Sequence, residues 1–144
     1  MTCVSHLPAS LVASFVKRLS RISLAVPPAA VITIIPLTYN LLKRHPALMG
    51  MIHRTHDSDG PYIGKLRTDF QCNDLTDCID PFLPDEANPN TTNAIDSSLW
   101  ELYSHKEHYD SAVSTLARIF EEAFTKPGYS MEDFLDHTYG TVCF

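Results

Sequence analysis

The sequence predicts an all-α fold, an α-solenoid or irregular helical array that is interrupted by a long acidic loop. Apolar residues recur at helical spacing on both sides of residues 55–95, and no segment shows a strand pattern. Proline and serine stand where the predicted helices begin. With 144 residues and a mean hydropathy of −0.07, the chain can bury one sizeable core and has the composition of a soluble globular protein.

The first predicted helix covers residues 8–25 (PASLVASFVKRLSRISLA). Its apolar face is predicted from spacings of four, four and three residues, and consists of Leu11, Phe15, Leu19 and Ile22, widened by Val12 and Val16. Lys17, Arg18 and Arg21 fall in the C-terminal half, where the helix dipole favours cations. The helix should therefore be amphipathic and basic.

The second predicted helix covers residues 29–44 (AAVITIIPLTYNLLKR) and follows the pair Pro27 and Pro28. It is apolar nearly all round, which is typical of a helix buried between neighbours. Pro36 should bend it near residues 32–35, because proline removes one backbone hydrogen bond and clashes with the preceding turn. Pro46 should then separate it from a short segment, residues 47–54.

One alternative for this region is a membrane segment. The run that begins at Ile22 and ends at Leu42 carries no charge and is long enough to cross a bilayer. Three prolines divide that run into pieces too short to span, so a buried helix is favoured. A nuclear-envelope or other membrane-associated protein stays open as the alternative function.

The middle of the chain, residues 55–95, is rich in aspartate and proline and has no helical period. We expect a long acidic loop that is largely disordered. The domain organisation predicted is a basic apolar helical segment at residues 5–54, this loop, and a helical segment at residues 96–140 that completes the same domain.

Helical signals resume with a capping box at residues 98–101 (SLWE), which should start a helix reaching about residue 108. Trp100 and Tyr103 are its candidate core or interface anchors. A helix over residues 110–125 follows, with a predicted apolar face of Val113, Leu116, Ala117, Phe120 and Phe124, of which Phe120 is the third candidate anchor. A last helix over residues 131–139 is predicted, with Ser130 as its cap.

Charge divides the chain into two parts. Residues 1–54 carry six Lys and Arg and no Asp or Glu, whereas the rest of the chain carries five and seventeen. A basic helical surface can meet phosphate or an acidic segment of a partner. The candidate contact residues for RNA or a partner are Lys17, Arg18, Arg21, Lys43 and Arg44. An ordinary solvated surface is the alternative interpretation.

Nothing in the sequence predicts catalysis, a cofactor or a metal. The candidate ligand pairs are His53 with His56, His105 with His108, and Cys72 with Cys78, but they are scattered and the cysteine spacing is unusual for zinc. With no secretory signal, the cysteines are predicted to be reduced. A metal-dependent enzyme is thus the weakest of the three function hypotheses.

Three stretches in order carry a resemblance. They are residues 6–54 (HLPASLVASFVKRLSRISLAVPPAAVITIIPLTYNLLKRHPALMGMIHR), residues 80–90 (DPFLPDEANPN) and residues 92–120 (TNAIDSSLWELYSHKEHYDSAVSTLARIF). The chain resembles the C-terminal part of the nucleolar complex protein 4 homologues, a group of the CCAAT-binding-factor domain family, over residues 5–62 and 80–140. Residues 63–79 depart from the pattern expected in the acidic gap.

The resemblance implies a HEAT/armadillo-like helical scaffold without catalytic residues. It further implies a role in the small-subunit processome of the nucleolus, in small-subunit ribosomal RNA maturation and in pre-ribosome export. The partners implied are nucleolar protein 14, other processome proteins and pre-ribosomal RNA. We also expect this chain to be a piece of a longer protein, because its first apolar helix pair begins within ten residues of Met1 with nothing to cover the outer face.

Overall fold

The computed structural model describes residues 7–53, 80–122 and 124–135. Every regular element within those ranges is helical, which confirms the all-α prediction. The solenoid repeat stays a prediction. Several sequence-based predictions lie outside the described residues, namely those on residues 55–79, including His56, Cys72, Cys78 and the divergent segment 63–79, and the end of the last helix after residue 135.

The first two helices are α1, Ala9–Ser23, and α2, Pro28–Arg44, and both were predicted to within two residues at each end. Pro28 occupies the first helical position of α2, where a missing amide hydrogen costs nothing. The helix continues through Pro36, which is buried; the predicted bend there stays a prediction.

The buried face of α1 matches the predicted apolar face only in part: Val12 and Val16 are buried as predicted, but the other four residues are not. Phe15 and Ile22 are 52% and 56% exposed, and Leu11 and Leu19 are only half-buried. The buried residues are Val12, Ala13, Ser14, Val16, Lys17, Ser20 and Ser23. Most of them are small, so they allow α1 to lie close to α2. The packing of α1 thus buries mainly small side chains and leaves Phe15 and Ile22 exposed.

A 3-10 helix, Pro46–Met51, follows α2 at the break that Pro46 predicted. Leu48 and Met51 point into the core. The backbone N–H of Leu99 donates to the Met51 carbonyl at 2.9 Å, so this turn also joins the two parts of the chain.

Residues 80–93 are packed against the helices, so the prediction of a largely disordered loop is wrong for this stretch. Phe82 and Thr92 are buried, and the Leu83 N–H donates to the Thr92 carbonyl at 2.9 Å. Side chains hold the turns between them: the N–H of Asn90, for example, donates to Asn88 Oδ1 at 3.1 Å. Local turn bonds and one aromatic anchor order this segment without any helical period.

The C-terminal helices are shorter than predicted. α3 covers Trp100–Ser104 and α4 covers Ser111–Ala117, each continued by a 3-10 turn (His105–Glu107 and Arg118–Phe120). A single turn of helix, α5, covers Glu132–Leu135. A further 3-10 turn, Ala94–Asp96, precedes α3.

A side-chain cap forms at the start of α4, whereas the predicted capping box before α3 is absent. Asp110 caps α4, its carboxylate accepting from the Ala112 N–H at 2.8 Å. The predicted capping box at residues 98–101 does not form, because Leu99 precedes α3 and no side-chain bond caps the helix.

One core joins all of these elements, with α2 packed on α1, α4 and α5. The predicted apolar face after residue 110 is confirmed, with Val113, Ala117 and Phe120 buried and Leu116 and Phe124 packed beside them. Among the described residues, no helix is both long and apolar enough to cross a bilayer.

Candidate functional site

A cluster of charged side chains lies inside the described part of the molecule, between α1 and α3. Lys17 and Glu101 are both fully buried, and Lys17 Nζ lies 2.8 Å from Glu101 Oε1. The same ammonium lies 2.8 Å from Asp80 Oδ2 and donates to the Ser98 carbonyl at 2.7 Å. A buried lysine thus has three oxygen partners, as a desolvated charge requires.

Arg21 borders this cluster one helical turn along α1. Its Nε is 3.4 Å from Glu101 Oε1, and its guanidinium carbon lies 5.2 Å from the centre of the Phe82 ring. Lys17 Nζ lies 5.7 Å from the Trp100 ring centre. Aromatic faces therefore cover the cations where oxygen does not reach.

This arrangement lowers the pKa of the Asp80 carboxyl. Partial burial raises its pKa, but hydrogen bonds with Lys17 and Ser97 and the charge of Lys17 outweigh that effect, so the pKa of Asp80 lies below its ordinary value. Asp80 is thus held in its charged form beside the lysine.

This cluster changes the interpretation of the basic face predicted on α1. Lys17 is buried and paired, so it is not available to an external ligand. Arg18 is exposed and donates to the backbone carbonyl of Glu86, and Arg21 is 37% exposed beside its two carboxylates. The acidic segment that α1 meets is therefore residues 80–86 of its own chain.

The two basic residues at the end of α2 have a different setting. Lys43 donates to the Lys126 carbonyl, and Arg44 is exposed. They line a surface recess of about 390 Å³ together with Asn40, Gly128 and Tyr129. The structure therefore brings Lys43 and Arg44 together but separates them from the basic residues of α1.

Asn40 builds one wall of that recess. Its amide nitrogen donates to the Tyr129 carbonyl, and its oxygen accepts from the Tyr129 N–H, both at 2.8 Å. A Cβ on Gly128 would lie 3.1 Å from Asn40 Oδ1, so glycine permits this close approach. Residues 126–129 are thereby fixed against the end of α2.

Aromatic rings support the same wall from inside. Tyr39 stacks on Phe124 with ring centres 4.7 Å apart and meets the edge of Tyr129 at 5.3 Å. The Tyr39 hydroxyl donates to the Lys126 carbonyl at 3.2 Å. Burial, followed by the effect of Tyr129, raises the pKa of Tyr39 above its ordinary value, so it stays a neutral donor.

The three predicted anchors differ in burial. Phe120 is in the core, as predicted. Trp100 is 40% exposed, so it is not a core anchor, and its alternative role as an interface anchor stays a prediction; Leu99 and Leu102 are buried instead. Tyr103 is half-buried, with Lys106 Nζ 3.9 Å from its ring centre.

The histidine pair on the C-terminal part is also partly internal. His105 is buried, with Nε2 2.7 Å from Ser23 Oγ, and its ring centre lies 6.0 Å from that of His108. Burial, then the charge of His108, lowers the pKa of His105. In the part of the chain that the structure describes, no three His, Cys, Asp or Glu side chains are grouped to hold a metal.

Sequence reasoning missed Asp80, Glu101 and Asn40 as site residues. Glu101 lies between Trp100 and Leu102 and Asn40 lies between Tyr39 and Leu41, whereas Asp80 is one of several aspartates in an acidic segment. The neighbours of Glu101 were an available signal, since a charge among apolar neighbours is often buried with a partner. The partner itself is not local, because Lys17 lies 84 positions before Glu101.

Comparison with known proteins gives one family and a consistent set of relatives. The model of the CBF/Mak21 family matches residues 2–117. Nucleolar complex protein 4 of Saccharomyces cerevisiae is 45% identical over 143 residues, which is 96% of this chain and 25% of that protein. Nucleolar complex protein 4 homolog of Homo sapiens is 39% identical over 134 residues, 93% of this chain and 23% of that protein.

An uncharacterised protein of Schizosaccharomyces pombe shows the same relation, at 45% identity over 139 residues. It too is covered only to 25% of its length, against 96% of this chain. This chain therefore spans about a quarter of the length of the relatives that it matches.

Proposed function

Because this chain belongs to the CBF/Mak21 family, we propose that it acts in the nucleolus as a non-catalytic scaffold in ribosome biogenesis. The observation that carries the proposal is its similarity to Nucleolar complex protein 4 along nearly the whole chain. The packing of residues 80–122 onto α1 and α2 supports it, since both parts of the chain share one core and so form one surface for partners.

Within ribosome biogenesis, we assign the protein to assembly of the small-subunit processome. Its role there is small-subunit ribosomal RNA maturation and pre-ribosome export, with nucleolar protein 14, other processome proteins and pre-ribosomal RNA as partners. The sequence resemblance over residues 5–62 and 80–140 supports this finer assignment.

The surface that best fits RNA phosphate or an acidic partner segment is the recess at the end of α2. Lys43 and Arg44 line it, with polar groups from Asn40 and Tyr129. The cations of α1 are engaged with residues 80–101. We therefore propose Lys43 and Arg44 as the residues that contact RNA or a partner.

Replacement in yeast tests the role in ribosome biogenesis. The matched quarter of yeast Nucleolar complex protein 4 is exchanged for this chain, and growth, nucleolar localisation and the ratio of small-subunit precursor to mature ribosomal RNA are measured. Normal growth and RNA ratios are expected. A chimera that is folded and nucleolar but fails to mature small-subunit RNA would contradict the assignment.

The contact surface is tested separately with Arg44→Glu in that chimera. Association with pre-ribosomal particles should weaken and should depend on salt, with a log–log slope of about −0.7 per phosphate for single-stranded RNA. Arg118→Glu, at another exposed arginine, is the matched control. Equal co-sedimentation of the two folded variants would leave Arg44 as ordinary solvated surface.

A further inference from the structure

One row of side chains on α1 is not used by the core. Leu11, Phe15, Arg18 and Ile22 follow at spacings of four, three and four residues, which places them on one side of the helix. Phe15, Arg18 and Ile22 are exposed and Leu11 is half-buried, whereas the opposite side of α1 is buried against the domain. We call these four residues the outer seam.

The spacing of the outer seam is that of a helix contact. Alternating steps of four and three residues produce the seam along which two helices pack side by side. Single exposed apolar residues are ordinary on a protein surface, but a row of large ones on one helix face marks an interaction site. The outer seam therefore has the form of one half of a helix pair.

Arg18 indicates which charge a helix that packs on the outer seam should have. It stands in the middle of the seam, and its guanidinium donates to the Glu86 carbonyl. Across residues 7–53, 80–122 and 124–135, no carboxylate lies within ion-pair distance of it. A cation at a position that becomes buried in a helix pair needs an acidic side chain opposite, because a desolvated charge without a partner is costly.

We propose that the outer seam docks an amphipathic helix with apolar seam residues and an acidic residue facing Arg18. We assign that helix to the part of the longer family protein that lies outside the quarter matched by this chain. About three quarters of the yeast relative's length is available to supply it.

Two other occupants fit the seam less well. A second copy of this chain would bring its own α1, which contains no acidic residue to pair with Arg18. A nucleic acid would meet mainly the apolar side chains of Leu11, Phe15 and Ile22, which offer nothing to phosphate. Both occupants are outcomes that the experiment distinguishes.

Cysteine labelling tests the proposal. Phe15→Cys is made in this chain alone and in full-length yeast Nucleolar complex protein 4 carrying this chain as its matched quarter. Labelling by iodoacetamide is followed at residue 15 by mass spectrometry, so the natural cysteines do not interfere. Tyr109→Cys, at an 84% exposed position away from the seam, is the control.

The expected result is fast labelling at both positions in the isolated chain and at least about tenfold slower labelling at residue 15 alone in the chimera. Arg18→Glu in the chimera should restore fast labelling at residue 15, whereas Arg118→Glu should not. A second chimera, in which only Ala9–Ser23 are exchanged, gives the same readout if the first does not fold.

Equal labelling of residues 15 and 109 in a folded chimera would overturn the proposal. Protection of residue 15 in the isolated chain that grows with protein concentration would also overturn it, in favour of a second copy. Protection of the isolated chain on addition of a single-stranded oligonucleotide would overturn it in favour of nucleic acid. The measurement is independent of ribosome biogenesis, so it can succeed or fail separately from the proposed function.

Discussion

Lys17 and Glu101 form a fully buried ion pair, 2.8 Å from Nζ to Oε1, that joins α1 to α3. The pair lies among apolar residues such as Val16 and Leu102. A buried pair of this kind adds little net stability over a well-packed apolar pair, but each member depends strongly on the other. The pair therefore links α3 to α1 across 84 positions of sequence.

The dependence is measurable with a double-mutant cycle. Lys17→Met should lower the free energy of unfolding by about 3–5 kcal/mol, because it leaves the Glu101 carboxylate buried without its main partner. Lys17→Met combined with Glu101→Leu should cost clearly less than the sum of the single changes. Urea unfolding measures all three.

Arg18→Met is the matched control, since this residue is exposed on the same helix and should change stability by less than about 0.5 kcal/mol. Additive effects of the Lys17 and Glu101 substitutions would show that the two side chains do not interact in solution.

The stability of the protein should fall in acid because of Asp80. Its pKa is lower in the folded chain than its ordinary value of 3.8, so the unfolded chain takes up its proton first as the pH falls. The contribution is complete above about pH 5 and is lost as the pH falls through the folded-state pKa. Asp80→Asn should be less stable at pH 7 and should lose less stability between pH 5 and pH 3.

Thermal unfolding at a series of pH values tests this dependence. Asp85→Asn, at an exposed aspartate of the same segment, should keep the acid dependence of the wild type. Parallel curves for Asp80→Asn and the wild type would show that the ion pair does not control the acid transition.

A second pH dependence should come from His105. Burial lowers its pKa below the ordinary 6.5, so the unfolded chain binds a proton on this side chain at a higher pH than the folded chain does. Stability from this source is complete above about pH 7 and falls as the pH drops below 6.5 toward the folded-state pKa. His105→Gln should flatten the stability curve between pH 7 and pH 5.5.

His53→Gln, at a half-buried histidine on another element, is the control and should leave that part of the curve unchanged. The imidazole titration of His105, followed by NMR, should have its midpoint below 6.5. A midpoint above 6.5 would contradict the buried neutral state.

The helices that can be predicted from sequence are those whose signals are local. The prolines and the apolar period defined α1 and α2 to within two residues, and Asp110 marked the start of α4. The buried face of α1 could not be predicted in this way. The buried face depends on which side of α1 approaches α2 and on the ion pair of Lys17 with Glu101, 84 positions away. The spacing of apolar residues within α1 contains no information about either.

The same reason explains residues 80–93. Their composition indicates disorder, yet Phe82 and Thr92 are buried, and the Phe82 ring lies against Lys17 and Arg21 of α1. The composition of a segment indicates how much apolar surface the segment can bury by itself. Residues 80–93 are ordered because they pack on a surface formed by other parts of the chain.

Trp100 and Leu102 provide a test of the corrected core. Leu102 is buried, so Leu102→Ala should cost about 2–5 kcal/mol, as large-to-small changes in a core do. Trp100 is 40% exposed and covers Lys17, so Trp100→Ala should cost less, about 1–2 kcal/mol. Chemical denaturation measures the free energy of unfolding of both variants. A larger decrease for Trp100→Ala than for Leu102→Ala would show that Trp100 is a core anchor.

The recess at the end of α2 depends on the two hydrogen bonds of Asn40. Asn40→Ala removes both bonds to the Tyr129 backbone and should lower the free energy of unfolding by about 1–3 kcal/mol. The amide hydrogen of Tyr129 should exchange faster, because its acceptor is lost.

Asn40→Asp keeps an acceptor for that amide but places a second oxygen against the Tyr129 carbonyl, so it should protect the amide while still losing stability. Asn90→Ala, which removes a single exposed bond from Ser10, is the control and should leave Tyr129 exchange unchanged. If Tyr129 exchanges at the same rate in Asn40→Ala as in the wild type, residues 126–129 are held by the ring contacts of Tyr39 and not by Asn40.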